Sequence, residues 1–303
     1  MSWSAEYEVM KGDVRLMVYR RCLEKPGTGK SQGARRPVLF LVHGSSFGAL
    51  AGYDLQVPGK TGYSMMDVCA GFGFDVWTMD HEGYGRSSRT KSFSDIPSGA
   101  DDLALAAKLI EKETGIKQAA YYGQSSGSLR AALFAQRHPE HVERLVLDAF
   151  VWTGEGSRTL AKRREGLASY LASNVRKISR ESLHAALLRD DPKHETVERG
   201  VPDALAETAL KDGDAVPSGT FVDMCSKLPL VDPAKITCPV YIMRGEHDGI
   251  ATLDDILAFY KGLPNGDKHF SVMAHSAHIA PLGVNRARFY HLLRWFLELS
   301  PSH

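Results

Sequence analysis

The sequence predicts an α/β fold, a mainly parallel central sheet flanked by helices and carrying an inserted helical cap, and three observations lead there. Short apolar runs alternate with helical patterns over most of the 303 residues, as expected of strands buried on both faces and joined by helical crossovers. The alternation stops between Phe150 and Pro239, a stretch far longer than one connecting helix needs. Gly123-Gln124-Ser125-Ser126-Gly127 stands between an apolar run and a helix-like stretch, which is the G-x-S-x-G pattern in the strand, turn and helix context it requires.

The elements follow in chain order. Residues 6–10 and 14–20 flank Lys11-Gly12-Asp13, a turn composition, and read as an antiparallel hairpin. Residues 25–36, rich in Gly, Lys and Arg, read as a mobile connector. Core strands are expected at 38–42, 74–79, 119–122, 145–149, 240–243 and 269–273, with helices at 65–71, 98–114, 128–138 and 253–262 and a last one at 284–299. The chain thus divides into a core from 1–150, a helical cap insertion over 151–235 and a second part of the core over 236–303. Inside the cap, helical patterns cover 157–178, 180–189 and 201–210, and 211–220 reads as a loop.

Lysine and arginine number 37 against 36 acidic residues, a formal charge of +1. No overall field therefore gathers nucleic acid or an anionic membrane, and a small-molecule partner fits better. No basic segment followed by an apolar stretch opens the chain, and no apolar run is long enough to span a bilayer, so a soluble, unsecreted protein is expected. Cys22, Cys69, Cys225 and Cys238 match no metal-ligand or C-x-x-C spacing. They read as free buried thiols, in keeping with a reducing cytoplasm. Neither a metal nor a cofactor is expected, and both a monomer and a homodimer are compatible with the composition.

The chemistry centres on Ser125. A chain that reverses within one residue strains the backbone at the serine and needs glycines beside it, where side chains would collide. The turn opens a helix, whose free N–H groups and positive end favour a developing negative charge. A serine hydroxyl is a weak nucleophile and needs a base in reach and a third group to orient that base. Asp248 follows the fifth core strand and His278 the sixth, so both stand with Ser125 at the sheet edge where open α/β folds bind ligands. Glu246 and Asp148 are further candidates for the acid, and His275 for the base. After the first core strand, His43-Gly44 allows a turn that points the N–H of Ser45 at the nucleophile. With the N–H of Ser126 it makes a two-donor oxyanion hole.

These residues resemble the α/β-hydrolase fold family, from about Val38 to the C-terminus, with the cap unassigned. The His-Gly pair at 43–44, the elbow, the acid after the penultimate strand and the late histidine all match. So does Asp80-His81-Glu82-Gly83-Tyr84-Gly85-Arg86-Ser87, which is similar to the family's D-x-R-G-x-G-x-S run but carries Glu82 where many members have arginine. The resemblance favours Asp248, from the G-x-x-D arrangement, and His278, which follows a small residue as the family's histidine does. It implies a serine hydrolase that cleaves a small-molecule carboxylic ester through an acyl-serine intermediate. Carbon–carbon, lactone, amide and thioester cleavage use the same triad, and a cofactor-free oxygenase and a non-catalytic ligand receptor are rivals from other classes. A serine at the elbow excludes the family's epoxide hydrolases and haloalkane dehalogenases, which need a carboxylate there.

Substrate contacts are expected from Ser46 and Phe47 in the long loop after the first core strand, from Trp152 at the start of the cap, and from Arg163 and Arg164. Residues 157–180 carry many cations against the single acid Glu165. They form either a solvated helix face or a clamp for a carboxylate-bearing half-ester, since arginine recognises carboxylates bidentately.

Overall fold

The computed structural model of the chain describes residues 2–27, 35–191, 193 and 195–300. Its strands are β1 (Trp3–Lys11), β2 (Val14–Cys22), β3 (Val38–Val42), β4 (Asp75–Met79), β5 (Ala119–Gln124), β6 (Val142–Asp148), β7 (Val175–Lys177), β8 (Ala215–Pro217), β9 (Val240–Gly245) and β10 (Lys268–Met273). Its helices are α1 (Ala49–Tyr53), α2 (Met65–Gly71), α3 (Ile96–Thr114), α4 (Ser126–Arg137), α5 (Arg158–Arg164), α6 (Leu167–Ala172), α7 (Arg180–Leu188), α8 (Val201–Leu210), α9 (Gly219–Ser226), α10 (Leu253–Gly262) and α11 (Arg286–Leu297).

Eight strands form one sheet in the order β1-β2-β4-β3-β5-β6-β9-β10. The opening hairpin extends it antiparallel through β2 against β4, and the other six strands run parallel. The apolar runs of β3 and β4 are buried throughout, whereas the edge strand β1 alternates in and out, which is why its sequence reads as a mixed pattern. Ile96, Leu103, Leu129, Phe134 and Phe259 from α3, α4 and α10 cover one face. Met65, Met66, Phe289, Leu293 and Phe296 from α2 and α11 cover the other. The connector expected over 25–36 falls at 28–34 outside the described residues.

Between β6 and β9 the chain departs from the expected helices. The single helix read over 157–178 is broken into α5 and α6 around Gly166 and then turns into β7, which pairs antiparallel with β8. Part of the stretch read as a loop is therefore strand, and α9 follows it. Only Leu160 of α5 is buried and α6 buries no residue, so the apolar spacing that reads as one long helix is not a core-facing stripe.

Glu82 finds a partner from the far end of the fold. Lys11, at the tip of the hairpin, lies 2.6 Å from Glu82 and 2.6 Å from the fully buried Asp102. Burial pulls the Lys11 ammonium down, but Asp102 and Glu82 outweigh it and hold the pKa above its ordinary value. Removing one partner of a buried pair strands the other charge. Lys11→Met is expected to lower unfolding free energy by about 2–3 kcal/mol, near the low end for such pairs because Lys11 is 26% exposed. A urea titration checks this, and an unchanged midpoint would mean that the ion pairs add no net stability.

Candidate active site

The elbow is built by contacts that only glycine permits. A Cβ on Gly127 would lie 2.1 Å from the Val42 carbonyl oxygen, and one on Gly123 would lie 2.5 Å from that of Gly127. Between them Ser125 takes φ +58°, ψ −123°, a conformation that L-residues rarely hold. Its N–H donates to the Asp148 carbonyl at 2.9 Å, and its own carbonyl accepts from Ser128 at 2.9 Å. The strained turn is thus held at both ends, and α4 starts directly after it.

The loops after β9 and β10 bring in the partners. His278 Nε2 lies 2.9 Å from Ser125 Oγ, and His278 Nδ1 lies 2.9 Å from both carboxylate oxygens of Asp248. All three residues are buried. Burial raises the Asp248 carboxyl, but the adjoining His278 and the N–H groups of Ile250 and Ala251 outweigh that and hold it below its ordinary pKa. The carboxylate is therefore the resting form. Sequence reasoning missed the groups that fix these loops. Arg244 donates to the carbonyls of Gly245, Glu246, Asp248 and Ala251 at 2.6–3.0 Å, and Gln124 Nε2 donates to the His278 carbonyl at 3.0 Å. An arginine inside a strand-end motif gives no sequence signal beyond a surface charge.

The rival acid and base stand elsewhere. Glu246 is exposed and accepts the His275 N–H at 2.9 Å. Glu246, His247 and the exposed His275 bring their metal-ligating atoms within 4.8 Å of one another on the outer surface of these loops. Asp148 is fully buried, accepts from Tyr122 Oη at 2.7 Å, and is pushed up to about 8 by burial.

His43 orients the candidate oxyanion donors. Its Nε2 accepts the His81 N–H at 3.2 Å, so its Nδ1 carries the proton and donates to the Gly44 carbonyl at 2.7 Å. Burial, with His81 and Arg130 nearby, lowers the His43 pKa well below its ordinary value, which keeps this neutral form. In a trans peptide the N–H points opposite to the carbonyl. Holding the Gly44 carbonyl therefore fixes the direction of the Ser45 N–H. The Ser45 carbonyl is held in turn by Tyr84 Oη at 3.3 Å and by Arg176 at 2.5 Å. A Cβ on Gly44 would sit 3.5 Å from that of Ser125, so this turn abuts the nucleophile. Ser126 opens α4, where its N–H belongs to the unpaired first turn.

A pocket of about 330 Å³, counting its open mouth, lies over Ser125 and His278 and is bordered by Ser45, Ser46, Phe47, Arg163 and Arg189. Of the expected substrate contacts, Ser46, Phe47 and Arg163 border this pocket. Trp152 and Arg164 do not. Trp152 stacks edge-on against Phe259 at 5.9 Å and donates to the Val231 carbonyl, because Asp255 gathers the backbone N–H groups of 152–154 and turns that segment toward α10. Arg164 points the other way around α5 and donates to the Cys225 carbonyl at 3.2 Å. Arg176, on β7, is among the cap cations that the sequence offers for the cleft, whereas Arg189, at the end of α7, was missed. Arg176 sits in the cation-rich stretch 157–180 and Arg189 beyond it, and only the folded chain shows that Arg176 reaches the Ser45 carbonyl and Arg189 the pocket.

Fold and site together define the class as an α/β hydrolase. Residues 63–280, more than two thirds of the chain, match the model of the family described as serine aminopeptidase, S33, and the chain belongs to this α/β-hydrolase family. No curated protein matches the chain in sequence. Among solved structures, the chain is similar to E-2-(acetamidomethylene)succinate hydrolase, with TM-score 0.68 and 17% identity over 98% of this chain and 100% of that one. It is also similar to a serine hydrolase from Cycloclasticus zankles, with TM-score 0.68 and 18% identity over 98% of each chain. A third is 2-hydroxy-6-oxo-6-phenylhexa-2,4-dienoate hydrolase from Rhodococcus sp. strain RHA1, with TM-score 0.66 and 18% identity over 98% of this chain and 99% of that one. At these identities the likeness is one of fold. Among the described residues no helix is long and apolar enough to cross a membrane, and the four cysteines are free.

Proposed function

We propose that the protein is a cytoplasmic serine hydrolase that cleaves a small-molecule carboxylic ester through an acyl-serine intermediate, with the 151–235 segment as its cap. The observation that carries this is the unbroken chain of short contacts from Ser125 Oγ through His278 to Asp248. His278 removes the Ser125 proton as Oγ attacks the ester carbonyl, and the N–H groups of Ser45 and Ser126 receive the developing oxyanion. His278 then protonates the departing alkoxide, and a water activated by His278 releases the acid and restores Ser125. Asp248 keeps Nδ1 protonated and stabilises the charged imidazole throughout. Thioester, amide, lactone and carbon–carbon cleavage share these steps and differ in the leaving group. The ester is favoured over the amide and the carbon–carbon bond because an alkoxide asks less of the acid than an amine or a carbanion does.

A fluorophosphonate probe followed by peptide mass mapping tests the nucleophile. The expected result is one adduct, on the peptide bearing Ser125, with a matching loss of hydrolysis of a short-chain nitrophenyl ester. Labelling elsewhere, or full labelling with hydrolysis intact, would sink this reading.

A further inference from the structure

The arginines around the pocket carry more positive charge than their surroundings balance. Arg163 has no hydrogen-bond or carboxylate partner among the described residues, and its guanidinium lies 4.3 Å over the ring of Phe221. Arg176 lies 4.0 Å from the centroid of the same ring. It gives one nitrogen to the Ser45 carbonyl and has a buried Nε without a partner. Arg189 reaches Asp190 through Nε at 3.1 Å and still borders the pocket with Arg163. Among the described residues, Asp190 is thus the one carboxylate paired with any of the three guanidiniums. Burial, with Arg189 and Arg176 beside it, pushes Arg163 down to about 10.

A cation–π contact offsets only part of the loss of water around a guanidinium, and neighbouring like charges add to the cost. Such an arrangement is unfavourable in the empty protein and is relieved by an anion placed between the forks. The open side of Arg163 and Arg189 is the side that holds Ser125 and His278.

We infer that Arg163 and Arg189 form a seat for a carboxylate of the substrate, so that the preferred ester carries a free carboxylate within reach of Ser125. The inference rests on the reading of Ser125 as nucleophile and names the substrate class for it. Each guanidinium offers paired donors that match a carboxylate.

The test compares monomethyl succinate with dimethyl succinate as substrates, and measures succinate binding to the Ser125→Ala protein by calorimetry. Wild type is expected to favour the acidic ester at least tenfold in kcat/KM. Arg163→Gln is expected to cut that ratio at least tenfold and to weaken succinate binding as much. It should melt no lower than wild type, because it removes a half-buried charge that no carboxylate balances. Arg164→Gln, on the same helix but turned away, serves as the control and is expected to leave the ratio in place. Equal cleavage of both esters with no succinate bound overturns the seat and leaves the hydrolase reading standing. Succinate binding without cleavage of either ester upholds the seat and overturns the ester reading. Inorganic phosphate bound more tightly than succinate reassigns the seat to a phosphoryl group, and a charge preference untouched by Arg163→Gln removes Arg163 from it.

Discussion

Ser125→Ala is expected to lower kcat on a cleaved ester by about 10⁵-fold or more, the loss typical when a triad nucleophile is removed, and Ser125→Gly is expected to do the same while making the protein more stable. Both variants delete Oγ, the atom 2.9 Å from His278 Nε2. They differ in the Cβ. At φ +58° a residue with a Cβ stores strain of about 1–3 kcal/mol, and glycine releases it while adding about 0.5–1 kcal/mol of chain entropy cost. Ser125→Gly should therefore exceed Ser125→Ala in unfolding free energy by about 1 kcal/mol, with Ala close to wild type. Thermal melts of the three proteins and single-turnover kinetics on one ester read both quantities. If alanine kept more than about a hundredth of kcat, His278 and Asp248 would be acting on substrate directly, as in the oxygenase reading. If glycine melted below alanine, the turn would not be where strain is held.

Ser125, Asp248 and His278 were legible because each follows a strand whose apolar run is unmistakable, and because the strand ends of a parallel sheet share one edge. The glycines at 123 and 127 were legible for the same local reason, a turn too tight for a Cβ. What surrounds them was not. Glu82 stands where an arginine is common, and its cation, Lys11, comes from a hairpin that pairs only through β2. Trp152 lies next to β6 in sequence, yet Asp255, on α10, turns it away from the pocket. Arg163 and Arg164 are adjacent on a helix, and the turn of about 100° per residue between neighbours sends them to different surfaces. Choosing between them needs the orientation of α5, which depends on where Gly166 breaks the helix. Arg176 and Arg189 belong to elements whose positions depend on that same break.

Asp248→Asn is expected to lower kcat by about 10⁴-fold, whereas Asp148→Asn keeps kcat within about tenfold of wild type, which assigns the acid by experiment. The first effect follows from orientation. An amide beside His278 Nδ1 no longer holds the proton on that nitrogen, and the tautomer that accepts from serine is lost. Asp148 is 2.7 Å from Tyr122 Oη, its other oxygen has no hydrogen-bond partner among the described residues, and burial pushes it up to about 8 against an ordinary 3.8. It is therefore a neutral carboxylic acid near pH 7, placed beneath the triad and adding no second negative charge beside Asp248.

The sign of its pH effect follows from linkage. A carboxyl whose pKa is raised on folding contributes stability fully below about pH 4, and that contribution is lost as pH rises through about 8, at up to about 1.4 kcal/mol per pH unit. The Asn variant has no such proton to lose. Its melting temperature relative to wild type should climb steadily from pH 5 to pH 8, whatever fixed offset the amide brings. A flat difference over that range would mean that Asp148 is already ionised at pH 5. The protein would then carry two buried carboxylates under one histidine, and the division of labour between Asp148 and Asp248 would have to be redrawn.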